Sequence, residues 1–397
     1  MVPDPLDFLD TAGLLSDSER LVGKTVREFV TDNVLPEVGG WWEAGEFPTH
    51  LIPEMARMGM FGMNLEGYGC AGLGPVEYGV AALELEAGDS GLRSFVSVQG
   101  SLCMFPIWKY GSSEQKAEWL PRMARGEVVG CFGLTEADAG SDPSSMRTTA
   151  RRVGSDWVID GSKSWITNGG IADLAVIWAK TPEGVRGFLV PTDAPGFSAH
   201  PIDRKASMRA SVTSTLVLEG VRLPEEMMLP GVSTMRGPLS CLTEARLGIV
   251  FGAMGAARSC YEAALGYASE RSQFGVPIAS FQLTQSKLVE MMVAVQRGIL
   301  LAIRIGRLRE EGKLTPEQVS VGKYNNVGDA LAVARTARSI LGANGITFDY
   351  PVMRHVANLE TVYTYEGTHE IHTLILGNAL TGIPAFQAPG PRTRSHR

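Results

Sequence analysis

Cysteine is scarce in this chain, and its spacing excludes the structures that depend on it. The 397 residues contain five cysteines, an odd number, at positions 70, 103, 131, 241 and 260. They are far apart and mostly have apolar neighbours, which is typical of reduced core residues and not of a disulfide framework. His369 and His372 lie three positions apart on a predicted helix, but no third ligand accompanies them. We therefore expect no metal site.

Excess positive charge, long apolar runs and a leader-like N-terminus are also missing. The formal net charge is −7, so the chain offers no basic field to nucleic acid or anionic lipid. Charged residues interrupt the apolar runs before the roughly 18 residues that a membrane helix needs. Residues 1–7 are acidic and contain neither an apolar signal core nor an Arg-rich transit helix. We expect a cytoplasmic protein, without nucleic-acid partners and without membrane insertion.

The hydrophobic patterning divides the chain into three regions. A capping box, Ser16 to Glu19, opens a region of helical patterns that ends near residue 129. Residues 130–236 contain short β-branched and aromatic runs between turn dipeptides, which predict a small, mainly antiparallel sheet or barrel. Residues 237–397 contain longer helical patterns, one of them capped by Thr315, and a Pro- and Arg-rich tail that we expect to be loose. The predicted fold is mainly α with a central β domain and a C-terminal four-helix bundle whose apolar faces could form an oligomer interface.

One apparent nucleotide motif is excluded by its context. Residues 67–72 satisfy the G-x-G-x-x-G pattern, and Asp89 lies at a suitable distance beyond them. However, no β-branched strand precedes the motif, and Pro75 interrupts the entry into the following helix. We expect a flexible loop here, not a dinucleotide fold.

The stretch around Glu366 is the first candidate for chemistry. Thr368 can N-cap a helix, which places Glu366 on a bend just before the helix N-terminus and beside the ring of Tyr365. A carboxylate desolvated at such a bend has its pKa raised toward the operating pH, as a general base for a weakly acidic C–H requires. A solvated turn glutamate is the alternative, and the spacing alone does not decide between them.

Two stretches of the β region could hold a flat cofactor. Residues 132–142 lead a hydrophobic strand into small and hydroxyl-bearing residues, whose backbone N–H groups could bind the carbonyls of a heterocycle. Residues 164–169 place the indole of Trp165 beside the hydroxyl of Thr167, which suits stacking on a planar ring. An ordinary β-turn and a core tryptophan are the alternatives.

Arg93 is a cation among apolar neighbours. Its planar fork, with a hydroxyl nearby, suits the capture of a substrate carboxylate. An internal salt bridge with Glu84 or Glu86 is the alternative for an arginine in such surroundings.

Five ordered motifs resemble the acyl-CoA dehydrogenase family. The chain carries L-T-E-x-x-A-G-S-D from Leu134, W-I-T-N-G from Trp165, R-S-Q-F-G from Arg271, L-G-A-N-G from Leu341 and Y-E-G-T from Tyr365. Their order and spacing match that family over nearly the whole chain, and its helical, β, helical architecture agrees with the division above. Within the family the chain looks most like the glutaryl-CoA dehydrogenase branch, which shares the segment Y-E-G-T-H and the segment Y-G-C-A-G.

This resemblance implies roles for the residues of the substrate site. Glu366 would abstract the α-proton of an acyl thioester, while its own backbone N–H and a flavin hydroxyl bind the thioester carbonyl. The carboxylate of the acyl group would be bound by an arginine and a serine four residues later, with an acidic residue seven before the arginine. The residues at these substrate positions are Arg93, Ser97, Glu86 and Tyr365, with Ser141 and Arg246 near the CoA moiety.

The resemblance also implies FAD, which would accept the β-hydrogen as a hydride. The implied FAD contacts form three sets, of which the second comes partly from a neighbouring subunit: Phe132, Leu134, Thr135, Gly140, Ser141, Trp165 and Thr167; Arg271, Phe274 and Gly342; Thr368 and Glu370.

The implied reaction is the oxidative decarboxylation of glutaryl-CoA to crotonyl-CoA and CO2, as in amino-acid degradation. Electrons would pass to an electron-transfer flavoprotein, and the chain would form a homotetramer. Three other readings remain open: a dehydrogenase of another acyl group, such as a substituted dicarboxylyl or carrier-bound one, an acyl-CoA oxidase, and a catalytically idle flavin or acyl-CoA binding protein.

Three positions depart from the family pattern. Ala137 and Asp138 replace the usual proline and small polar residue, and Tyr363 stands where a smaller polar side chain is common. We expect the extra ring of Tyr363 to narrow the acyl pocket or to favour a bulkier dicarboxylate.

Overall fold

The computed structural model describes residues 3–385. The tail over 388–397, which the sequence predicts to be loose, lies outside the described residues. The predicted fold class is confirmed, because the sheet lies between two helical regions along the chain.

The N-terminal region is helical and begins at the predicted capping box. Ser16 accepts a hydrogen bond from Glu19 N, and the Glu19 carboxylate accepts one from Ser16 N at 2.7 Å. The helices of this region are α1 Asp17–Asn33, α2 Val38–Ala44, α3 Ile52–Arg57, α4 Pro75–Gly88, α5 Ser90–Ser97, α6 Phe105–Tyr110 and α7 Ser113–Ala124. Residues 67–72 lie in the loop between α3 and α4, with no strand before them, as expected.

The sequence reading missed the helical stretch that carries Arg93. Asp89 caps α5 by accepting a hydrogen bond from Gly91 N at 2.7 Å, and a π-helix, Val98–Met104, joins α5 to α6. The stretch is buried along its length. Its polar residues, Ser90, Arg93, Ser94 and Ser97, recur at helical spacing, but Ser90, Arg93 and Ser94 bond Glu86 and Tyr365 inside the fold, so they do not form the solvent-facing stripe of a surface helix.

The middle region forms a seven-stranded sheet. Its strands are β1 Gly130–Gly133, β2 Thr149–Val153, β3 Asp156–Thr167, β4 Leu174–Thr181, β5 Gly184–Pro191, β6 Phe197–Pro201 and β7 Thr213–Pro224. The hydrogen-bonded order is β1-β4-β2-β3-β7-β6, with β5 pairing the other edge of β4. Most pairings are antiparallel, as predicted, but β1 and β2 each pair parallel with β4.

The C-terminal region consists of long helices. They are α8 Arg236–Glu270, α9 Gln282–Glu310, α10 Pro316–Leu341, α11 Val352–Thr364 and α12 His369–Thr381, and a hairpin of β8 Ser272–Gln273 and β9 Val276–Pro277 follows α8. The predicted capping box at Thr315 is present, with Gln318 as its second member. Helix α8 packs against α4, α9 and α10.

Helix α8 is long and apolar enough, by length and composition, to cross a membrane. However, 78% of its most apolar window is buried inside the fold. Its composition is therefore that of a helix surrounded by other helices, where no polar face is needed. The functional residues described next lie where α4, α5, α8 and α10 meet the turn between α11 and α12.

Candidate active site

The turn between α11 and α12 holds Glu366 in a left-handed backbone conformation. Glu366 has φ +53° and is followed by Gly367 at φ +94°. Thr368 caps α12 as predicted, because its hydroxyl oxygen accepts a hydrogen bond from Ile371 N at 3.2 Å. A non-glycine residue in the left-handed region is costly, and such residues are concentrated at functional sites.

The carboxylate of Glu366 is desolvated and incompletely paired. Its Oε2 is buried and has no hydrogen-bond partner within residues 3–385. Burial raises the pKa of Glu366, although the positive charges of Arg93, Lys323 and Arg246 oppose that rise. The residue is therefore not the solvated turn glutamate considered above. A carboxylate with a raised pKa and a free oxygen has the properties of a general base.

Two buried cations bind the backbone of this turn. Lys323 of α10 donates to the carbonyl oxygens of Tyr365 and Gly367, each at 2.5 Å. Arg246 of α8 donates from Nε to the carbonyl oxygen of Glu366 at 2.7 Å. The sequence predicted Arg246 as a CoA contact, and the structure places it against the turn that carries Glu366.

Lys323 is a site residue that sequence reasoning missed. It lies on the buried stripe of α10, in helical register with Val319 four positions earlier and Val327 four positions later. A lysine within an apolar stripe was the available signal, since lysine is almost never fully buried without a partner.

A narrow apolar cleft lies beside the turn. It encloses about 240 Å³, including its open mouth, and its lining is Met60, Met63, Tyr78, Ala81, Ala82, Leu85, Arg93 and Val96. Tyr78 lies close enough to both Arg93 and Glu366 for their charges to act on its hydroxyl. The cleft is therefore lined by the predicted carboxylate-binding arginine and by Tyr78, on whose hydroxyl the charge of Glu366 also acts.

Arg93 forms the internal salt bridge that was one of its two alternatives, and within residues 3–385 it keeps one donor free. Its Nε donates to Glu86 Oε2 at 2.7 Å, and both side chains are buried. Its Nη2 donates to Ser94 Oγ at 3.2 Å and to the Tyr365 hydroxyl. In contrast, Arg93 Nη1 and Ser97 Oγ are buried without a partner in the described part of the chain. Arg93 forms the internal salt bridge and still has a donor to offer.

The close approach of α8 depends on a glycine. A Cβ atom at Gly252 would overlap the carboxylate of Glu86 and contact the side chain of Arg93. Gly252 therefore lets α8 cover the Glu86–Arg93 pair and exclude water from it. The other oxygen of Glu86, Oε1, accepts a hydrogen bond from the Ser90 hydroxyl at 2.8 Å.

The predicted flavin-binding edge of the sheet is formed by a β-bulge. The register of β3 and β7 shifts between Lys163 and Ile166, and Trp165 within the shift has φ +63°. The bulge turns the indole outward, so that 63% of Trp165 is exposed. Ser164 N donates to Thr135 O at 2.8 Å, which brings the predicted residues Leu134, Thr135, Trp165 and Thr167 to one edge.

A buried ion pair supports this edge. Lys163 donates to Glu136 Oε1 at 2.8 Å and to Leu134 O at 3.1 Å. Burial alone would raise the pKa of Glu136, but hydrogen bonds from Arg147 N, Lys163 and Thr148 hold it at about 2. Gly140 and Ser141 follow on the exposed part of the loop, whereas the ring of Phe132 is buried and lies edge-on to Trp178.

The second set of predicted FAD residues lies elsewhere. Arg271, Phe274 and Gly342 are exposed near the C-terminal ends of α8 and α10, and 94% of Phe274 is exposed. Arg271 lies roughly 37 Å along α8 from Arg246, at 1.5 Å per residue. Within one chain, therefore, this set does not belong to the cavity around Glu366.

The expected position of Tyr363 in the acyl pocket is wrong. The Tyr363 ring stacks on His369 with centroids 4.3 Å apart, and Tyr324 stacks on the other face of the imidazole at 4.1 Å. The ring projects from the last turn of α11 toward α12 because a histidine there offers it a flat partner. Glu370 is exposed in the first turn of α12, and His372 is buried behind the turn, where burial lowers its pKa to about 3.

The residues at the sheet edge fit a flavin. An exposed indole held by a strained bulge, beside a loop fixed by a buried ion pair, is a surface for a flat heterocycle. A desolvated carboxylate and an apolar cleft lined by Arg93 occur in the same fold. Together these features define a flavin-dependent enzyme that removes hydrogen from a carbon chain activated for proton loss.

Comparison with known proteins identifies the family. The N-terminal, middle and C-terminal domains of acyl-CoA dehydrogenase match residues 16–127, 131–221 and 235–381. The chain therefore belongs to the acyl-CoA dehydrogenase family, and it is an FAD-dependent enzyme.

Similar structures and sequences agree with this assignment. Glutaryl-CoA dehydrogenase from Mycobacterium smegmatis superimposes with a TM-score of 0.96 at 57% identity, covering 97% of this chain and 100% of that one. A glutaryl-CoA dehydrogenase from the same organism in complex with FADH2 matches at 56% identity with the same coverage and TM-score. The short-chain specific acyl-CoA dehydrogenase of Bos taurus is 32% identical over 92% of this chain and 90% of its own length. The predicted resemblance and the predicted cofactor are confirmed.

Proposed function

We propose that this enzyme oxidises and decarboxylates glutaryl-CoA to crotonyl-CoA and CO2. The observation that carries the proposal is Arg93, buried in the lining of the cleft with Nη1 unpartnered, together with Ser97 four residues later on α5, whose hydroxyl is also buried without a partner in the described part of the chain. These two donors suit a carboxylate at the end of an acyl chain.

The donors also explain why an unsubstituted chain would bind less well. A butyryl group would leave Arg93 Nη1 and Ser97 Oγ buried without partners, at a cost of about 1–3 kcal/mol for each such group. Sites built to bind a polar substrate group reject analogues that lack the group for this reason. Glu86 keeps the arginine charged and oriented in the absence of substrate.

The chain's own residues support each proton transfer. Glu366 takes the α-proton, and its backbone N–H is free to donate to the thioester carbonyl, which stabilises the charge that develops there. Bound FAD supplies the acceptor for the β-hydrogen, which leaves as a hydride. The distal carboxylate of the unsaturated product is attached to the γ-carbon, in a vinylogous relation to the thioester, so CO2 can leave while the electron pair of the broken C–C bond is delocalised through the double bond into the thioester carbonyl. Glu366, now protonated, returns a proton to the carbanion, which gives crotonyl-CoA.

The known relatives support the reaction class more strongly than they support glutaryl as the acyl group. Glutaryl-CoA dehydrogenase from Desulfococcus multivorans is 33% identical over 93% of this chain, close to the identity of the short-chain enzyme. The higher identity of the Mycobacterium smegmatis structure favours a dicarboxylyl substrate, as Arg93 does.

The partners are proposed on separate grounds. An electron-transfer flavoprotein as the electron acceptor, and a role in amino-acid degradation, rest on the family resemblance. Assembly into a homotetramer is supported by exposed apolar residues on the C-terminal helices and by the distance of Phe274 from the catalytic turn; the exposed residues are Phe274, Leu283, Val289, Val293, Leu380 and Ile383. The five cysteines are free, which supports a reducing compartment, here the cytoplasm.

Anaerobic titration of the yellow holoenzyme tests the proposal. Glutaryl-CoA is expected to bleach the flavin and to release CO2 and crotonyl-CoA. The double variant Arg93→Met with Glu86→Gln removes both buried charges together, so that neither remains unpaired. It should lose about 100-fold in affinity for glutaryl-CoA, because the charged donor Arg93 Nη1 is lost while Ser97 remains, but only a fewfold for butyryl-CoA.

Each alternative gives a different result. Equal losses on both substrates would exclude Arg93 as the carboxylate-binding residue. Peroxide formed in proportion to substrate in air would identify an oxidase, and the absence of bleaching with a panel of mono- and dicarboxylyl-CoAs would identify an idle binding protein.

A further inference from the structure

Three consecutive carbonyl groups at the catalytic turn point at buried cations. Lys323 binds the carbonyl oxygens of Tyr365 and Gly367, and Arg246 binds that of Glu366 between them. The two cations come from α10 and α8, which pack against each other. The turn therefore rests on a rigid helical support, although its own residues belong to neither helix.

The geometry of the peptide bond makes the contact with Tyr365 directional. No cis peptide bond occurs in the described chain, so each C=O points away from the N–H of the same peptide unit. The carbonyl of Tyr365 and the N–H of Glu366 belong to one unit. When Lys323 holds that carbonyl, it aims the Glu366 N–H to the opposite side of the turn. This N–H has no acceptor within the part of the chain that the structure describes.

The same lysine lies beside the carboxylate. Burial lowers the pKa of the Lys323 ammonium, and the negative charge of Glu366 opposes that effect. The other charged or titratable groups that act on Lys323 or Glu366 are Arg246 of α8, Arg93 of α5, Glu86 and Tyr78 of α4, Tyr365 of the turn itself, and His369 and His372 on α12. Among them, Lys323 is the cation that contacts the backbone on both sides of Glu366.

We propose that Lys323 is a positioning residue for the dehydrogenation step. It holds the left-handed turn so that the Glu366 N–H and carboxylate are both available to the substrate, and its positive charge keeps that carboxylate ionised. This inference rests on the proposed function of Glu366 as the base. A left-handed non-glycine residue is strained, and the hydrogen bonds from Lys323 offset this cost.

The test compares two variants of the holoenzyme with a control from the same helix. Lys323→Met removes both the donors and the charge, whereas Lys323→Gln keeps an amide donor without the charge. Arg335 of α10 is an exposed cation that pairs with Glu360, so Arg335→Gln is the control. The FAD content, the flavin spectrum and the rate of flavin reduction by glutaryl-CoA are measured between about pH 6 and pH 9, the range around a raised carboxyl pKa.

Both Lys323 variants should shift the acidic limb of the reduction rate to higher pH by about one pH unit, because an opposite charge close to Glu366 is lost. Lys323→Met should in addition lower the limiting rate about 100-fold, as expected when an oxyanion donor is no longer aimed. Lys323→Gln should lose less in the limiting rate. The control should match the wild type in the limiting rate and in the acidic limb.

The inference fails if the acidic limb is unchanged in both variants, even when the rates fall. It also fails if neither variant folds and retains FAD, because Lys323 would then support the bundle and not the turn. Failure of the proposed function gives a different result, in which Glu366→Gln is still reduced by glutaryl-CoA at the wild-type rate. If Glu366→Gln is inactive and the acidic limb of the Lys323 variants stays at the wild-type pH, Glu366 is still supported as the base, but the proposed role of Lys323 is excluded.

Discussion

The turn that carries Glu366 and the loop at the predicted flavin-binding edge are built alike, and they differ in one respect. In each, a buried lysine donates to backbone carbonyls of a loop: Lys323 to Tyr365 and Gly367, and Lys163 to Leu134. Each loop also carries a glutamate that interacts with that lysine. In two distant regions of the chain, therefore, a buried lysine fixes a loop whose backbone lacks the regular hydrogen bonds of a helix or a sheet.

The difference lies in how completely each glutamate is paired. Glu136 accepts hydrogen bonds from Lys163 and from the backbone N–H groups of Arg147 and Thr148. Glu366, in contrast, keeps a buried oxygen without a partner. The pKa of Glu136 is held at about 2, while burial raises that of Glu366. A fully paired carboxylate stabilises a loop, whereas an incompletely paired one can accept a proton from a substrate.

The largest expected effect is the loss of activity on substitution of Glu366, which distinguishes it from Glu136. Glu366→Gln should lower the rate of flavin reduction at least about 1,000-fold, because the base is lost while the side-chain shape is kept. Stopped-flow measurement with glutaryl-CoA tests this, with FAD content as the control. Reduction at more than a tenth of the wild-type rate would remove Glu366 as the base.

The same variant should not destabilise the protein near neutral pH. The folded-state pKa of Glu366 is raised, so its contribution to stability is present below the unfolded value near 4.5 and is lost as pH rises through the folded value. Near pH 7, well above the unfolded value, the buried carboxyl group is therefore a cost that glutamine avoids. We expect an equal or higher Tm for Glu366→Gln, and a clearly lower Tm would contradict the raised pKa.

Glu136→Gln should have the opposite profile. It leaves Lys163 buried without its counter-charge, so the free energy of unfolding should fall by about 3–5 kcal/mol. FAD occupancy should fall as well, since Leu134 and Thr135 lose their support. Urea unfolding and the flavin absorbance ratio measure the two effects. The acidic limb of the reduction rate should stay at the wild-type pH, and its displacement would show that the two loops are not independent.

Trp165→Phe should weaken FAD binding without weakening the fold. The indole is 63% exposed, so its truncation removes little core contact. A smaller stacking surface should raise the Kd for FAD up to about tenfold, at about 0.5–1.5 kcal/mol for an aromatic pair. Reconstitution of the apoprotein with FAD measures this, and the urea midpoint of the apoprotein is the control. A wild-type Kd would show that the exposed ring does not contact the cofactor.

Tyr363→Leu should have the smallest effect. The ring stacks on His369 and does not line the cleft, so the ratio of kcat/KM for glutaryl-CoA to that for butyryl-CoA should change less than about twofold, well below the tenfold that 1.4 kcal/mol gives. Stability should fall by about 1 kcal/mol for the lost aromatic pair. Tyr324→Leu, on the other face of His369, is the matched control and should behave in the same way. A change in selectivity that occurs only in Tyr363→Leu would show that Tyr363 contributes to the acyl pocket.

The sequence predicted those features that depend on neighbouring residues. The capping boxes at Ser16 and Thr315 and the N-cap at Thr368 are set by residues within one turn of each other, and all three are present. The three-part architecture followed from the change of hydrophobic period along the chain. The roles assigned to Glu366 and Trp165 followed from short motifs, and they stay predictions until tested by substitution.

The sequence could not reveal those features that join distant segments. The polar residues of α5, among them Arg93, recur at helical spacing, but they are buried against Glu86 and Tyr365, and these tertiary partners could not be read from spacing. Tyr363 stacks on His369 because α11 and α12 meet at a sharp turn, which residue spacing does not describe.

The residues by themselves thus determined the family, the cofactor and the candidate base, because each is encoded in contiguous motifs whose chemistry is local. The tertiary structure alone decided how that base is held and what it faces. Lys323 and Tyr365 are 42 positions apart, and Arg93 and Tyr365 are 272 apart, yet each pair is joined by a hydrogen bond. Packing of α4, α5, α8 and α10 removes water from this junction, and burial then raises the pKa of Glu366 and leaves Arg93 with a free donor. Desolvation is a property of the assembled core, so no local pattern in the chain could specify it.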